Sequence, residues 1–519
     1  MKIYKVSYTH NMPNDAKYPC IALVKNKWDD FGFRTTFSIR FYEVKNKFID
    51  LEYIKILDRN TEDTIIKNNV DELDDNFCSL GQSTNYYKKL ADLPDATTKD
   101  ILISLNDVVF NRKIHDEFSL LPGFHSSLLR ESLAYKALIE GPAILENVVE
   151  EKKFSFKFRY AINGSTGPFS IDFNFKENEP LPYRTNVIIG KNGTGKTEIL
   201  GMLGRVLSSG NKDFYSKHTD YEKPLFEKIL AVSYSYFDDF EKPPLDDMKI
   251  SYVYCGLIGN IDIQNRVYDT LEEEVKSLRF SKGNDLKRKL NELEILVKRQ
   301  REHLNTSHQL KNKLKDSIKI IKKDQKLIES WKEILSSIFS EYDNSILNAI
   351  LINPDSIKDF KISSGQNIIL SIFSEVIANI GHESILLIDE PEIHLHPNAI
   401  ANFMKMLNTL LEKFNSYAII STHSPIIVQE TPKEYVRVIE REYFTTAVRS
   451  LSRESFGEDL TEIIQEIFNV RSSESNYQSV FGRMVKEGLT FEEIESRFNM
   501  QLSIHAKGIL LSQIPTKGE

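Results

Sequence analysis

The spacing of apolar residues changes several times along the chain, and each change predicts a different element. From Phe154 the segments FSFKFRY and FSIDFNF alternate, as strands with one covered face do, and Gly164 to Gly167 supplies a turn between them. TNVIIG, ILLIDE and YAII are unbroken apolar runs, the pattern of strands buried on both faces. TNVIIG leads through a glycine-rich segment into the helical TEILGMLGRVL. From about 263 to 339 the period lengthens: Leu286, Leu290, Leu293 and Val297 follow a 4-3-4 spacing, and Leu314, Ile318, Ile321, Ile328 and Leu335 continue it. Asn305 to His308 favour a turn. The expected element is therefore a pair of antiparallel helices of about 20–25 residues, roughly 30–38 Å long at 1.5 Å per residue.

The two ends read differently. CIALV at 20–24 and TTFSIRFYEV at 35–44 are strand-like, with a turn at Asp29-Asp30 and Gly32; from Asn85 to Glu151 the pattern is more helical, as in DILISLNDVVF. After Ser450 come short amphipathic helices, DLTEIIQEIF and one opening at Thr490 with Glu493 three residues on, a capping-box spacing. The resulting division is 1–150 (α+β, no assigned chemistry), 154–262 and 341–450 (two lobes of one α/β unit), 263–340 (inserted helical hairpin) and 451–519 (helical).

Composition narrows the classes. A chain of 519 residues, 41% hydrophobic and 27% charged, has the balance of globular protein able to bury a core. Its net charge of −8 excludes a global basic field for nucleic acid. Locally, 281–330 carries 14 Lys/Arg against 7 Asp/Glu, which suits either the solvated face of a hairpin or a basic arm for nucleic acid or an acidic partner. No run approaches the ~20 apolar residues of a membrane span. The start of the chain lacks the apolar core of a signal peptide. Three cysteines without C-x-x-C spacing argue against a disulfide framework or a four-Cys zinc site. A cytoplasmic protein is expected.

GKNGTGKT fills every fixed position of G-x-x-x-x-G-K-[ST], between a strand and a helix. Gly190, Lys191, Asn192, Gly193, Thr194 and Gly195 would turn backbone N–H groups towards a phosphate, Lys196 would reach the β- and γ-phosphates of ATP, and Thr197 would ligate Mg2+. ILLIDE ends in two carboxylates: Asp389 to hold Mg2+ beside Thr197, Glu390 to polarise the attacking water.

Asp389 lies 193 residues beyond Lys196, and the intervening ISSGQ at 362–366 stands before a helix, 23 residues ahead of Asp389. In that place it resembles the LSGGQ signature of ABC ATPases. The resemblance implies that Ser363, Ser364, Gly365 and Gln366 contact the ATP held by a second copy, making a homodimer or a higher even oligomer. In STHSP, after YAII, His423 resembles the family's switch histidine. EPEIHLHP resembles the D-loop of the SMC/RecF/OLD-like branch; His394 and His396 within it have no third metal ligand nearby in sequence. The Q-loop glutamine is missing from YFDDFEK, where Asp238 or Asp239 would substitute. The resemblance covers about 154–450. It implies an ABC-type ATPase head of mixed sheet and helices, similar to stand-alone ATPases of bacterial anti-phage systems such as Septu and PARIS. The expected function is an ATP hydrolase whose dimerisation gates a separate effector such as a nuclease; the alternative is a RecF/SMC-like ATPase that binds DNA itself. The last 96 residues show no carboxylate set of a nuclease.

Overall fold

The computed structural model describes residues 1–8, 12–30, 32–147, 154–219, 224–233, 243, 250–256, 306–338, 345–468 and 476–514. The described residues build two sheets and a ribbon. The first sheet has the order β5-β1-β2-β3-β4-β6, from β1 (Lys2–Lys5), β2 (Cys20–Lys25), β3 (Thr36–Val44), β4 (Lys47–Asp58), β5 (Asn69–Val70) and β6 (Phe77–Gly81). Only β1 and β2 pair in parallel; the rest is antiparallel. Phe37, Ile39 and Phe41 alternate onto one face, where they meet Tyr86, Tyr87, Leu102, Phe118, Phe124 and Ala134 from the following helices. The strands expected at 20–24 and 35–44 are both present. Helix Asp95–Ser104 stops inside the helical pattern because Asp107 accepts from the backbone of Val109 and Phe110 and makes a turn instead.

The second sheet has the order β11-β10-β12-β13-β9-β14-β15. Its strands are β9 (Thr185–Ile189), β10 (Lys228–Ser233), β11 (Ser251–Gly256), β12 (Ile385–Asp389), β13 (Tyr417–Thr422), β14 (Val436–Glu442) and β15 (Thr445–Arg449). All pair in parallel except β15. The unbroken apolar runs are explained by the packing: Leu386 and Ile388 of β12 face one core, Ile385 and Leu387 the other. The ribbon, β7 (Phe156–Tyr160) with β8 (Phe169–Phe173), covers part of the second core together with helix Lys196–Ser208.

The inserted hairpin needs correcting over its second half. The chain is helical from Thr306 to Ile321 and from Gln325 to Ser336, but these helices are short, separated by a turn at 322–324, and pack on the sheet unit. Leu314, Ile318, Ile321 and Leu335 lie in the same core as β12 and the helix Ser364–Asn379, and the Trp331 indole N–H donates to Ser374 Oγ at 2.8 Å. Periodicity marked an apolar stripe correctly; that stripe faces the sheet unit. The first half, with Lys287, Arg288 and Lys289, and the residues proposed for the Q-loop, Asp238 and Asp239, lie outside the described residues.

The two sheet units touch through a buried ion pair. Lys136, on helix Ser132–Leu145, binds Glu383, in the turn that leads into β12. Glu227 lies against the same turn, and burial raises its carboxyl group, opposed by Lys228 and Lys136. Among the described residues no helix is long and apolar enough to cross a membrane.

Candidate functional site

The strand order decides what meets what. β13 lies between β9 and β12, so the C-terminal ends of all three open on one edge of the sheet. The loop after β9 is shaped by its glycines. A Cβ on Gly190 would stand 2.4 Å from the Ile439 carbonyl of β14, and Gly195 has φ of +88° with Ile162 directly beside it. Lys196 then opens a helix of 13 residues. Its buried ammonium donates back to the carbonyls of Gly190 (3.1 Å) and Lys191 (3.2 Å) and stands 3.8 Å from Glu390 Oε1.

Thr197 Oγ1 donates to Asp389 Oδ2 at 2.6 Å. Asp389 is fully buried, and its other oxygen accepts from Ser421 at the end of β13. Glu390, next along, takes a left-handed backbone with φ of 43°. That conformation costs a non-glycine residue roughly 1–2 kcal/mol. It is held by the Glu390 N–H donating to Ser421 O (2.9 Å) and by Ile393 N–H donating to Glu390 O (3.2 Å). His423 Nδ1 lies 3.7 Å from Glu390 Oε1 and 3.1 Å from Glu392 Oε1. Gly193, Gly195, Lys196, Thr197, Glu390, Asn163 and Glu198 line one open cleft of about 510 Å3.

Ser363, Ser364, Gly365 and Gln366 are absent from that lining. Ser363 caps the 16-residue helix Ser364–Asn379 in a capping box with Gln366, and both serines are exposed at its N-terminus. Lys191 and Asn192 are exposed, and Thr194 Oγ1 bonds the Lys191 carbonyl (2.9 Å). His396 stands at the N-cap position of helix Pro397–Lys413, where its side chain makes no capping bond. Sequence reasoning missed Ser421 and Glu392. The available signals were the serine that opens STHSP and a second buried acid two residues after Glu390. It also missed Glu198, whose carboxylate accepts from the Tyr160 hydroxyl (2.7 Å) and Asn163 N–H (2.9 Å), tying the β7–β8 turn to the cleft.

The donor set can be tested against a nucleotide and its metal. Lys196 and the left-handed Gly193 and Gly195, at a helix N-terminus, fit phosphate oxygens. No group of three His, Cys, Asp or Glu is poised for a metal among the described residues. One buried carboxylate flanked by hydroxyls, with phosphate oxygens and water completing the shell, is what Mg2+ takes in such sites.

A family model described as "AAA domain, putative AbiEii toxin, Type IV TA system" matches residues 265–429. Protein ea59 of Escherichia phage lambda is 27% identical over 527 residues, covering 96% of this chain and 97% of its own. The Septu protein PtuA of Bacillus thuringiensis is 23% identical over 382 residues, covering 66% of this chain and 93% of its own. Among solved structures, the SMC head domain from Thermotoga maritima aligns at 11% identity with a TM-score of 0.26, covering 58% of this chain and all of that one.

Proposed function

We propose that this chain, an ABC-type α/β ATPase head that resembles anti-phage defence proteins, binds and hydrolyses Mg2+–ATP and uses that cycle to control a partner effector. The observation that carries the reading is the contact of Thr197 with Asp389 at 2.6 Å, beside Lys196 and Glu390, across 192 residues of chain.

Each residue has a task set by its chemistry. Lys196 exchanges its bonds to two loop carbonyls for phosphate oxygens and neutralises charge there. Thr197 and Asp389 present oxygen ligands to Mg2+. ATP, when bound, supplies the phosphoanhydride that is cleaved. Glu390 accepts a proton from the attacking water, and its fixed backbone keeps the carboxylate at the mouth of the cleft. His423 stands beside that carboxylate and holds it in place. Ser363, Ser364 and Gly365, exposed on a helix N-terminus outside this cleft, act on the nucleotide of a second copy, so that ATP lies in the interface of a homodimer. A gated effector, a nuclease in the simplest arrangement, is the reading that the resemblance to the Septu protein PtuA favours.

Glu390→Gln tests the whole reading. The amide preserves shape but is a far poorer base, so hydrolysis should fall by about 10²–10⁴-fold while ATP still binds. ATP should then drive an increase in particle size measured by light scattering. The same variant should lock phage protection fully on or off in cells. Unchanged turnover removes Glu390 from catalysis; turnover that needs added DNA moves the protein to the DNA-maintenance class.

A further inference from the structure

We infer that Glu392 is a positioning residue, whose carboxylate fixes the turn after β13 and thereby holds the His423 imidazole against Glu390. The inference rests on the ATPase reading of the site for its meaning, although its geometry stands independently.

Glu392 sits in the short turn Pro391–His394, nearly excluded from water. One of its oxygens, Oε1, accepts from Thr422 Oγ1 at 2.6 Å and from the His423 N–H at 2.7 Å. Thr422 Oγ1 in turn accepts from the Ser424 N–H at 2.9 Å. A single carboxylate oxygen thus organises three consecutive residues at the end of β13, through bonds strengthened by its charge. Thr422 is the last residue of β13, paired with Ile189 of β9, and His423 and Ser424 continue beyond the strand to the cleft edge.

Two atoms in this group are conspicuous for what they lack. His423 Nδ1 and Glu392 Oε2 are both buried with no hydrogen-bond partner among the described residues, although Nδ1 lies only 3.1 Å from Glu392 Oε1. Buried polar atoms left unpaired are uncommon and costly. A small rotation of the ring puts an Nδ1–H onto Glu392 and satisfies the nitrogen. With Nδ1 as donor, the tautomer is set, and Nε2 is the ring nitrogen left to accept. Glu390 touches the same ring at 3.7 Å, so a loose His423 would also loosen the base. Glu392 Oε1 is committed to the end of β13 through Thr422 and the His423 N–H, which assigns it to positioning rather than to the reacting atoms.

Four measurements decide it. In the full chain, Glu392→Ala should lower kcat by about 10–100-fold, the usual effect of losing a partner that orients a functional histidine, with KM for ATP changed by less than about threefold. Adding Glu392→Ala to His423→Ala should cost less than about twofold more, because the positioned group is already gone. Glu392→Gln keeps the accepting oxygen and should retain turnover within about fivefold, unlike Glu390→Gln. Losses that multiply in the double variant overturn positioning, and a Glu392→Gln as inactive as Glu390→Gln makes Glu392 the base. Hydrogen exchange supplies a readout free of activity: Glu392→Ala should speed exchange of the His423 amide by about tenfold or more, and an unchanged rate refutes the clamp. If the wild-type protein does not hydrolyse ATP, the ATPase reading falls while the exchange experiment still decides the clamp.

Discussion

Lys136→Met removes a cation that lies between the two sheet units. Its ammonium pairs with Glu383 and stands 3.8 Å from Glu140, and the side chains of Lys136 and Glu383 are 5% and 8% exposed. At such burial water does little to screen what is left behind. Methionine fills the stem's volume, so packing is nearly preserved and the charge effect stands alone. Breaking a buried pair by removing one partner typically costs about 3–5 kcal/mol, because the surviving charge stays desolvated. With a urea m-value of about 3 kcal/mol/M, the midpoint should fall by roughly 1–2 M. The chain carries its own reporter: of two tryptophans, Trp331 is fully buried in the sheet unit that holds the cleft, whereas Trp28 is 57% exposed. The fluorescence red shift on unfolding therefore follows Trp331. Glu227, already raised by burial and lowered by Lys136, should move further up in the variant. Lys136→Met/Glu383→Gln should recover most of the loss, since the buried Glu383 carboxylate, the direct partner of the ammonium, is no longer left as a charge. A single variant within about 0.5 kcal/mol of wild type, or a double variant no better than the single, refutes the idea that this pair stabilises the joint.

Three further outcomes follow from particular contacts. Ile318→Ala, in the segment first read as an arm, should destabilise the cleft-bearing unit by about 2–5 kcal/mol in the same urea assay, whereas a truly solvated arm would tolerate it. Asp107 is fully buried, and desolvation raises its carboxyl group to about 7 against an ordinary value of 3.8. The folded state then binds more protons than the unfolded one between roughly pH 4 and 7, so this residue lowers stability as pH rises through that window; Asp107→Asn should flatten that part of a pH–Tm curve, and an unaltered slope would contradict it. Ser364→Glu puts a carboxylate on the exposed N-terminus of helix Ser364–Asn379, a site that favours negative charge in the free chain. It should leave Tm unchanged or slightly higher, yet abolish ATP-driven dimerisation of Glu390→Gln in light scattering; intact dimerisation would remove Ser364 from the interface.

What could be read from the chain without its structure is what depends on neighbours in sequence. The phosphate loop is eight consecutive residues between a strand and a helix, so its glycines, Lys196 and Thr197 declare themselves together. The buried runs TNVII, ILLID and YAIIST are strands because apolar residues without a period have no polar face to show water. The Thr490–Glu493 capping box is equally local.

Everything that joins distant segments waited for the fold. The 4-3 spacing of Leu314, Ile318 and Ile321 names an apolar stripe but not the surface that covers it, and the same stripe serves a long hairpin or a short helix on a sheet. The meeting of Thr197 with Asp389 depends on β13 lying between β9 and β12, an order that no strand encodes in its own residues. Nothing local to ILLIDE and the residues after it marks Glu392 as the acceptor for Thr422 and His423, which lie 30 and 31 residues further on. Lys136 and Glu383 lie 247 residues apart, and a lysine inside a helix shows no mark in sequence of whether it meets water or a buried carboxylate. Periodicity records which face of an element avoids water; which other element covers that face, and which charges it brings, is decided only when the sheets stack.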